Sequence, residues 1–204
     1  MTHEFSLLQV MLKGGWVIGF LLILSVLALA ILIDRWRAFA RSGRDRGELM
    51  KSVEPFWKKN PQEAAASCER DGSVPALALA AGLRAKKDGT GDPRGAMDRE
   101  AKARLMDLET RLPLLGTLGN LAPYIGLFGT VLGIIRAFRD LSLANAGGAA
   151  VVSQGIAEAL VATASGLFVA VLASAGFNYF QSRLDVLARE TELVIDEAAE
   201  KLQD

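Results

Sequence analysis

LPLLGTLGNLAPYIGLFGTVLGII, Leu112 to Ile135, contains no charged side chain. Two similar runs flank it. WVIGFLLILSVLALAILI, Trp16 to Ile33, precedes it, and ALVATASGLFVAVLASAGFNYF, Ala159 to Phe180, follows it. As a helix the first run reaches roughly 27 Å at about 1.5 Å per residue, close to a bilayer's hydrocarbon thickness. Three such runs are too long and too apolar for buried helices of a soluble domain. The chain is therefore expected to be all-α, an integral membrane protein with three transmembrane helices. Ala28-Leu29-Ala30 has the small-x-small form of a signal-peptide cleavage site. The run continues through Ile31-Leu32-Ile33 and lacks a basic leader, so it is read as a retained span.

Basic residues orient the spans. DRWRAFARSGRDR, Asp34 to Arg46, follows the first run with Arg35, Arg37, Arg41, Arg44 and Arg46. Arginine-rich flanks stay in the cytoplasm. This divides the chain into an outer N-terminal segment (1–15), a first span (16–33) and a cytoplasmic helical region (34–111). A second span (112–138), an outer connection (139–153), a third span (154–180) and a cytoplasmic C-terminal helix (181–204) complete it. Arg136 and Arg139 oppose this orientation and are outweighed by the first flank and by Arg183 and Arg189. EFSLLQVMLKGG, Glu4 to Gly15, fits an amphipathic helix on the outer surface as well as it fits a frayed tail.

The cytoplasmic region carries helix signals. Pro61 opens QEAAASCER, Ser73 and Pro75 open ALALAAGLRAKK, and Asp92-Pro93 forms another cap and first turn after the loop DGTGDP. Met97, Ala101, Leu105, Leu108 and Leu112 form one helical stripe leading directly into the second span, where Pro113 and Pro123 are candidate kinks. Leu184, Leu187, Val194, Ala198 and Leu202 form a comparable stripe after the third.

Lys plus Arg and Asp plus Glu number 23 each, and the basic residues are interleaved with acids. That pattern argues against a nucleic-acid surface. The single cysteine, Cys68, permits no internal disulfide and reads as a small packing residue. His3 is alone, so no metal site is expected. GLFGTVLG lacks the GK[ST] ending of a phosphate loop.

The second and third spans are rich in small residues. Gly126 and Thr130 are four apart, as are Gly129 and Gly133, and Ala162, Gly166, Ala170 and Ser174 repeat every four. Such spacing lets helix backbones approach closely. Thr130 and Thr163 admit two readings. Each hydroxyl can bond back to its own helix, or the two can belong to small, mildly polar strips lining a narrow pore. Glu158, at the outer start of the third span, complements a helix dipole or pairs with Arg136. With the two threonines at one depth, Arg136 and Glu158 lie about 9 Å and about 7.5 Å further outward on their helices. Charges there are expensive and usually paired. No Asp, Glu, His or Lys lies within the three runs. Hydroxyls do not titrate near neutral pH, so the titrating group of any proton path through these spans must come largely from another protein.

APYIGLFGTVLGI, Ala122 to Ile134, resembles the second transmembrane helix of the ExbB/TolQ/MotA proton-channel family, with its AP-x-x-GL-x-GTV-x-G pattern. GIAEALVATASGL, Gly155 to Leu167, resembles the family's third-helix motif GIAEAL-x-AT-x-x-GL. Three spans and a helical tail fit ExbB best and TolQ next; MotA has four spans. The resemblance implies a homo-oligomer, usually a pentamer, in the bacterial inner membrane, with a periplasmic N-terminus and a cytoplasmic C-terminus. Its pore would hold an ExbD- or TolR-like single-span partner that supplies a transmembrane aspartate. Proton flow would be passed on as motion through a TonB- or TolA-like protein, past small helix faces that slide with low friction. The pore threonines map onto Thr130 and Thr163, and the third-helix glutamate onto Glu158. Arg136 matches no family motif. No substrate bond is broken, so no enzyme, catalytic residue or cofactor is implied. ExbB-type energising of TonB-dependent outer-membrane transport is the leading expectation, and a TolQ-type role in the Tol–Pal envelope-integrity system the alternative. A passive membrane scaffold is the alternative of another class.

Overall fold

The computed structural model describes residues 15–43, 45–57, 60–89, 92–143 and 148–203. They form seven helices and, among the described residues, no strand: α1 Gly15–Ser42, α2 Arg46–Trp57, α3 Pro61–Asp71, α4 Val74–Lys87, α5 Pro93–Glu109, α6 Leu112–Leu143 and α7 Gly148–Gln203. Three stretches are long and apolar enough to cross a membrane: Trp16–Ser42, Pro93–Ser142 and Val152–Leu202. Of the N-terminal segment only Gly15 lies among the described residues, as the first residue of α1.

The chain divides into two compact units, Met1–Ile33 with Pro113–Phe177, and Asp34–Leu112 with Asn178–Asp204. The first contains nearly all of the three uncharged runs. Its outer surface is apolar: Ile23, Val26, Phe168 and Val171 are each more than 60% exposed. Exposed apolar side chains in this number are costly in water and suit lipid or protein neighbours.

In the second unit each expected helix start is present. Asn60 caps α3: its side chain accepts from the Glu63 N–H at 3.4 Å and its Nδ2 donates to Glu63 Oε2 at 3.2 Å. Asp92 caps α5, accepting from the Gly95 N–H at 2.8 Å. Ser73 precedes α4 but donates its hydroxyl to Asp71 instead. Gly72 ends α3 at φ +72°, a left-handed conformation that glycine adopts without strain. Both stripes turn inward. Met97, Ala101 and Leu108 are buried, Leu105 is half-buried, and Leu184, Leu187, Val194, Ala198 and Leu202 are all buried. Cys68 packs in the same core.

Two elements differ from the sequence expectation. The stripe on α5 does not run unbroken into the second span, because the helical ladder is interrupted at Thr110–Arg111. Pro113 supplies no N–H, and its ring excludes the preceding carbonyl turn. Arg35 serves carbonyls at this end of α5: its Nη1 donates to Leu108 O at 2.9 Å and Asp107 O at 3.3 Å. Asp34 Oδ2 neutralises it at 2.6 Å and also meets Arg111 at 3.0 Å. Further on, α6 continues through Pro123 to Leu143 and α7 begins at Gly148, so most of the expected 139–153 connection is helical.

Candidate functional site

The site lies in the first unit, where α6 and α7 meet along a seam of small residues. Contacts descend on one helix as they rise on the other: Gly119 against Ser174, Gly126 against Thr163 and Gly166, Gly133 against Ala159, Ala137 against Gly155. The two helices are thus antiparallel. A β-carbon on Gly166 would lie 2.5 Å from the Ala122 carbonyl oxygen and 2.9 Å from Gly126 Cα, so the backbones themselves touch. On Gly129 it would lie 2.8 Å from Ala162 Cβ and 2.8 Å from Val17 Cγ1, which brings α1 against the same position. On Gly133 it would lie 2.5 Å from Ala159 Cβ. Ala170 is buried with Ala122 and Val169. The small faces are therefore turned toward each other inside one chain. A low-friction surface open to other subunits is not what they form, because backbone contact along the seam uses them up.

Thr130 and Thr163 meet at the middle of this seam, at one depth. Their hydroxyls are hydrogen-bonded to each other. Thr130 Oγ1 lies 3.3 Å from Gly126 O, one turn back on its own helix, and 3.2 Å from Ala159 O on α7. Thr163 Oγ1 lies 3.2 Å from Gly126 O on α6. Ala159 is the residue one turn before Thr163, so each hydroxyl reaches the carbonyl that precedes the other. Back-bonding describes part of Thr130 and none of the contacts described for Thr163. Each hydroxyl has one proton to donate, and the contacts outnumber the protons. The pair consequently has more than one proton arrangement for the same heavy-atom geometry. Thr130 is buried, and Thr163 keeps a half-exposed edge.

Toward the C-terminal end of α6, helices α1, α6 and α7 line a half-open cavity of about 350 Å³. Arg136 and Glu158 both line it. Glu158 Oε1 accepts a hydrogen bond from Gln154 Nε2 at 3.0 Å. Asp140 and Gln154 complete the polar wall, and Trp16 stands beside them with its ring edge-on to Phe128 at 6.4 Å.

Sequence reasoning did not single out Asp140, Gln154, Gly119 or Gly155. The first two were findable: Asp140 is four residues from Arg136, and Gln154 four from Glu158, so each shares its partner's helix face. Gly119 and Gly155 needed the helix register, which no spacing within one helix supplies.

The chain matches one family model and is similar to a number of known proteins. The model described as the MotA/TolQ/ExbB proton channel family matches residues 72–193. The Tol-Pal system protein TolQ of Haemophilus influenzae is 32% identical, over 97% of this chain and 93% of its own. A Synechocystis protein named ExbB-like 3, a biopolymer transport protein, is 31% identical over 84% of this chain and 83% of its own. Biopolymer transport protein ExbB of Pseudomonas putida is 40% identical over 41% of this chain and 26% of its own.

Proposed function

The chain belongs to the MotA/TolQ/ExbB proton channel family, and from that premise we propose that it is a proton-conducting subunit of a motor in the bacterial inner membrane. The observation that carries this reading is the Thr130–Thr163 pair, a polar centre between two uncharged runs that contain no acid. A pair of hydroxyls conducts nothing by titration. It can donate to a carboxylate or order water beside one. The carboxylate then comes from a single-span ExbD- or TolR-like partner, held by a homo-oligomer, a pentamer in the family pattern. When the partner's aspartate is ionised, the half-exposed Thr163 turns its proton toward it, and Thr130 keeps its own on Ala159 O. When the aspartate is protonated, Thr163 returns its proton to Gly126 O. The two arrangements differ by hydroxyl rotation alone, so the switch needs no helix movement at this site. The chain itself breaks no substrate bond and acts as a channel and stator rather than an enzyme.

In this reading the N-terminus is periplasmic and the C-terminus cytoplasmic. Arg136 and Glu158 form a charged gate at the periplasmic end. Fully additive effects of Arg136→Ala and Glu158→Ala on assembly stability would remove that pairing. The ExbB-like placement couples proton flow through a TonB-like protein to outer-membrane transport. The TolQ-like placement, acting through a TolA-like protein, is favoured by one specific observation: the TolQ-named relative aligns over nearly the whole chain.

The test is reconstitution of the chain with its partner in proteoliposomes. Thr163→Val is expected to abolish proton flux while the complex still assembles. Unchanged flux in the double variant Thr130→Val, Thr163→Val would refute the channel reading and leave a passive scaffold.

A further inference from the structure

We propose that the cavity between α1, α6 and α7 is a water-filled vestibule, through which protons reach the threonine pair inside each subunit. The proposal rests on the channel reading above and names the route it leaves open. Its first support is size. A cavity of about 350 Å³ holds roughly ten waters at about 30 Å³ each. The second is chemistry. Dry cavities are apolar, whereas this wall carries a guanidinium, two carboxylates and an amide, from Arg136, Asp140, Glu158 and Gln154. These offer donors and acceptors at one end, enough to anchor a chain of waters.

The third support is where the cavity ends. Its inner wall is made by Gly129, Ala159 and Ala162. Gly129 and Ala162 are the chain neighbours of Thr130 and Thr163, and Ala159 supplies the carbonyl 3.2 Å from Thr130 Oγ1. The cavity thus reaches the residues that flank both threonines in the chain and the residue whose carbonyl Thr130 meets. None of the three has a side chain larger than a methyl, so no long side chain stands between this end of the cavity and the helix backbones. The charge of the wall selects the traveller. Two carboxylates against one guanidinium leave a net charge of −1, which favours hydronium and disfavours anions. Arg136, which matches no family motif, acquires a purpose here: it holds the wall at a single negative charge and repels larger cations that a doubly negative wall would bind.

Cysteine accessibility tests the proposal in the full chain with its partner in proteoliposomes. The lone Cys68 is first replaced, Cys68→Ala. Leu132, which lines the cavity, becomes the probe as Leu132→Cys. Gln154→Cys, at the polar wall, serves if the first variant fails to assemble. The reagent is a charged, membrane-impermeant methanethiosulfonate, which reacts with a thiolate in water. Val26→Cys, on an outward apolar face, is the control. The expected result is labelling of the probe at least tenfold faster than the control, and at least a fivefold loss of proton flux on labelling the probe. Labelling no faster than the control overturns the proposal, with a lipid or a partner helix as the occupant. Fast labelling with unchanged flux also overturns it, since the water then lies off the path. These failures are distinct from failure of the channel reading, which shows as unchanged flux in the double threonine variant whatever the labelling.

Discussion

Adding one carbon to Gly166 tests the seam most directly. In Gly166→Ala the new methyl would stand 2.5 Å from the Ala122 carbonyl oxygen, where an ordinary contact begins at 3.4 Å. The neighbours at risk are backbone atoms, which have no rotamer to change. The helices must part by about 0.9 Å at this point, the difference of those two distances. Overpacking of this kind costs about 1–3 kcal/mol. The threonine pair sits one turn away, where cross-helix contacts of 3.2 Å would stretch to about 4 Å, beyond hydrogen-bond range. Gly166→Ala should therefore lose both stability and proton flux. Gly19→Ala is the matched control, because a β-carbon there meets nothing within 4 Å; it should be neutral or gain up to about 1 kcal/mol from helix propensity. Unfolding in graded mixtures of mild detergent and dodecyl sulfate, followed by tryptophan fluorescence, reads the stability. Flux in proteoliposomes reads the pair. Gly166→Ala behaving like Gly19→Ala in both assays would refute the backbone contact and the register derived from it.

Three further outcomes follow from the second unit. Arg35→Met removes the charged donor from the Asp107 and Leu108 carbonyls and should cost about 1.5–3 kcal/mol, read as a lower melting temperature of the full chain. Asp92→Ala removes the α5 cap and should cost about 1 kcal/mol, with Asp92→Asn restoring most of it in the same melt. Thr191→Val removes a buried hydroxyl bonded at 2.7 Å to Leu187 O, one turn back on its own helix. It should change stability by no more than about 1 kcal/mol and leave flux intact, in contrast to the same substitution at Thr163.

The fold was legible where one helix carries its own signal. Uncharged length located the spans, Asn60 and Asp92 stood where caps belong, and the Val194–Ala198–Leu202 face was readable from period alone. Pro113 was visible too, as a candidate kink, and the ladder breaks just before it at Thr110–Arg111. Whether a proline bends a helix or ends its ladder depends on what satisfies the freed carbonyls, and Arg35 comes from a distant part of the chain. The candidate site was legible as a set of residue types. That two hydroxyls share one depth could be supposed from their place in matching motifs. That each takes the carbonyl preceding the other could not, because it depends on a register shared by two helices. The same limit hid the direction of the small faces. Four-residue spacing says that a face is small, not whether it meets another helix of its own chain or a neighbour's.

Backbone contact between α6 and α7 has a mechanical consequence. Where side chains interleave, one helix can roll against another by changing rotamers. Along Gly126, Gly133, Ala159 and Gly166 there are no rotamers to change, and a rotation of a few degrees would press Cα atoms and carbonyls together. The two helices form a strut that is stiff in torsion as well as in bending. Sliding against a lipid or protein neighbour would fall instead to the outer faces, where exposed side chains such as Phe168 have rotamers to change. The glycines mark the stiff part of the helix pair.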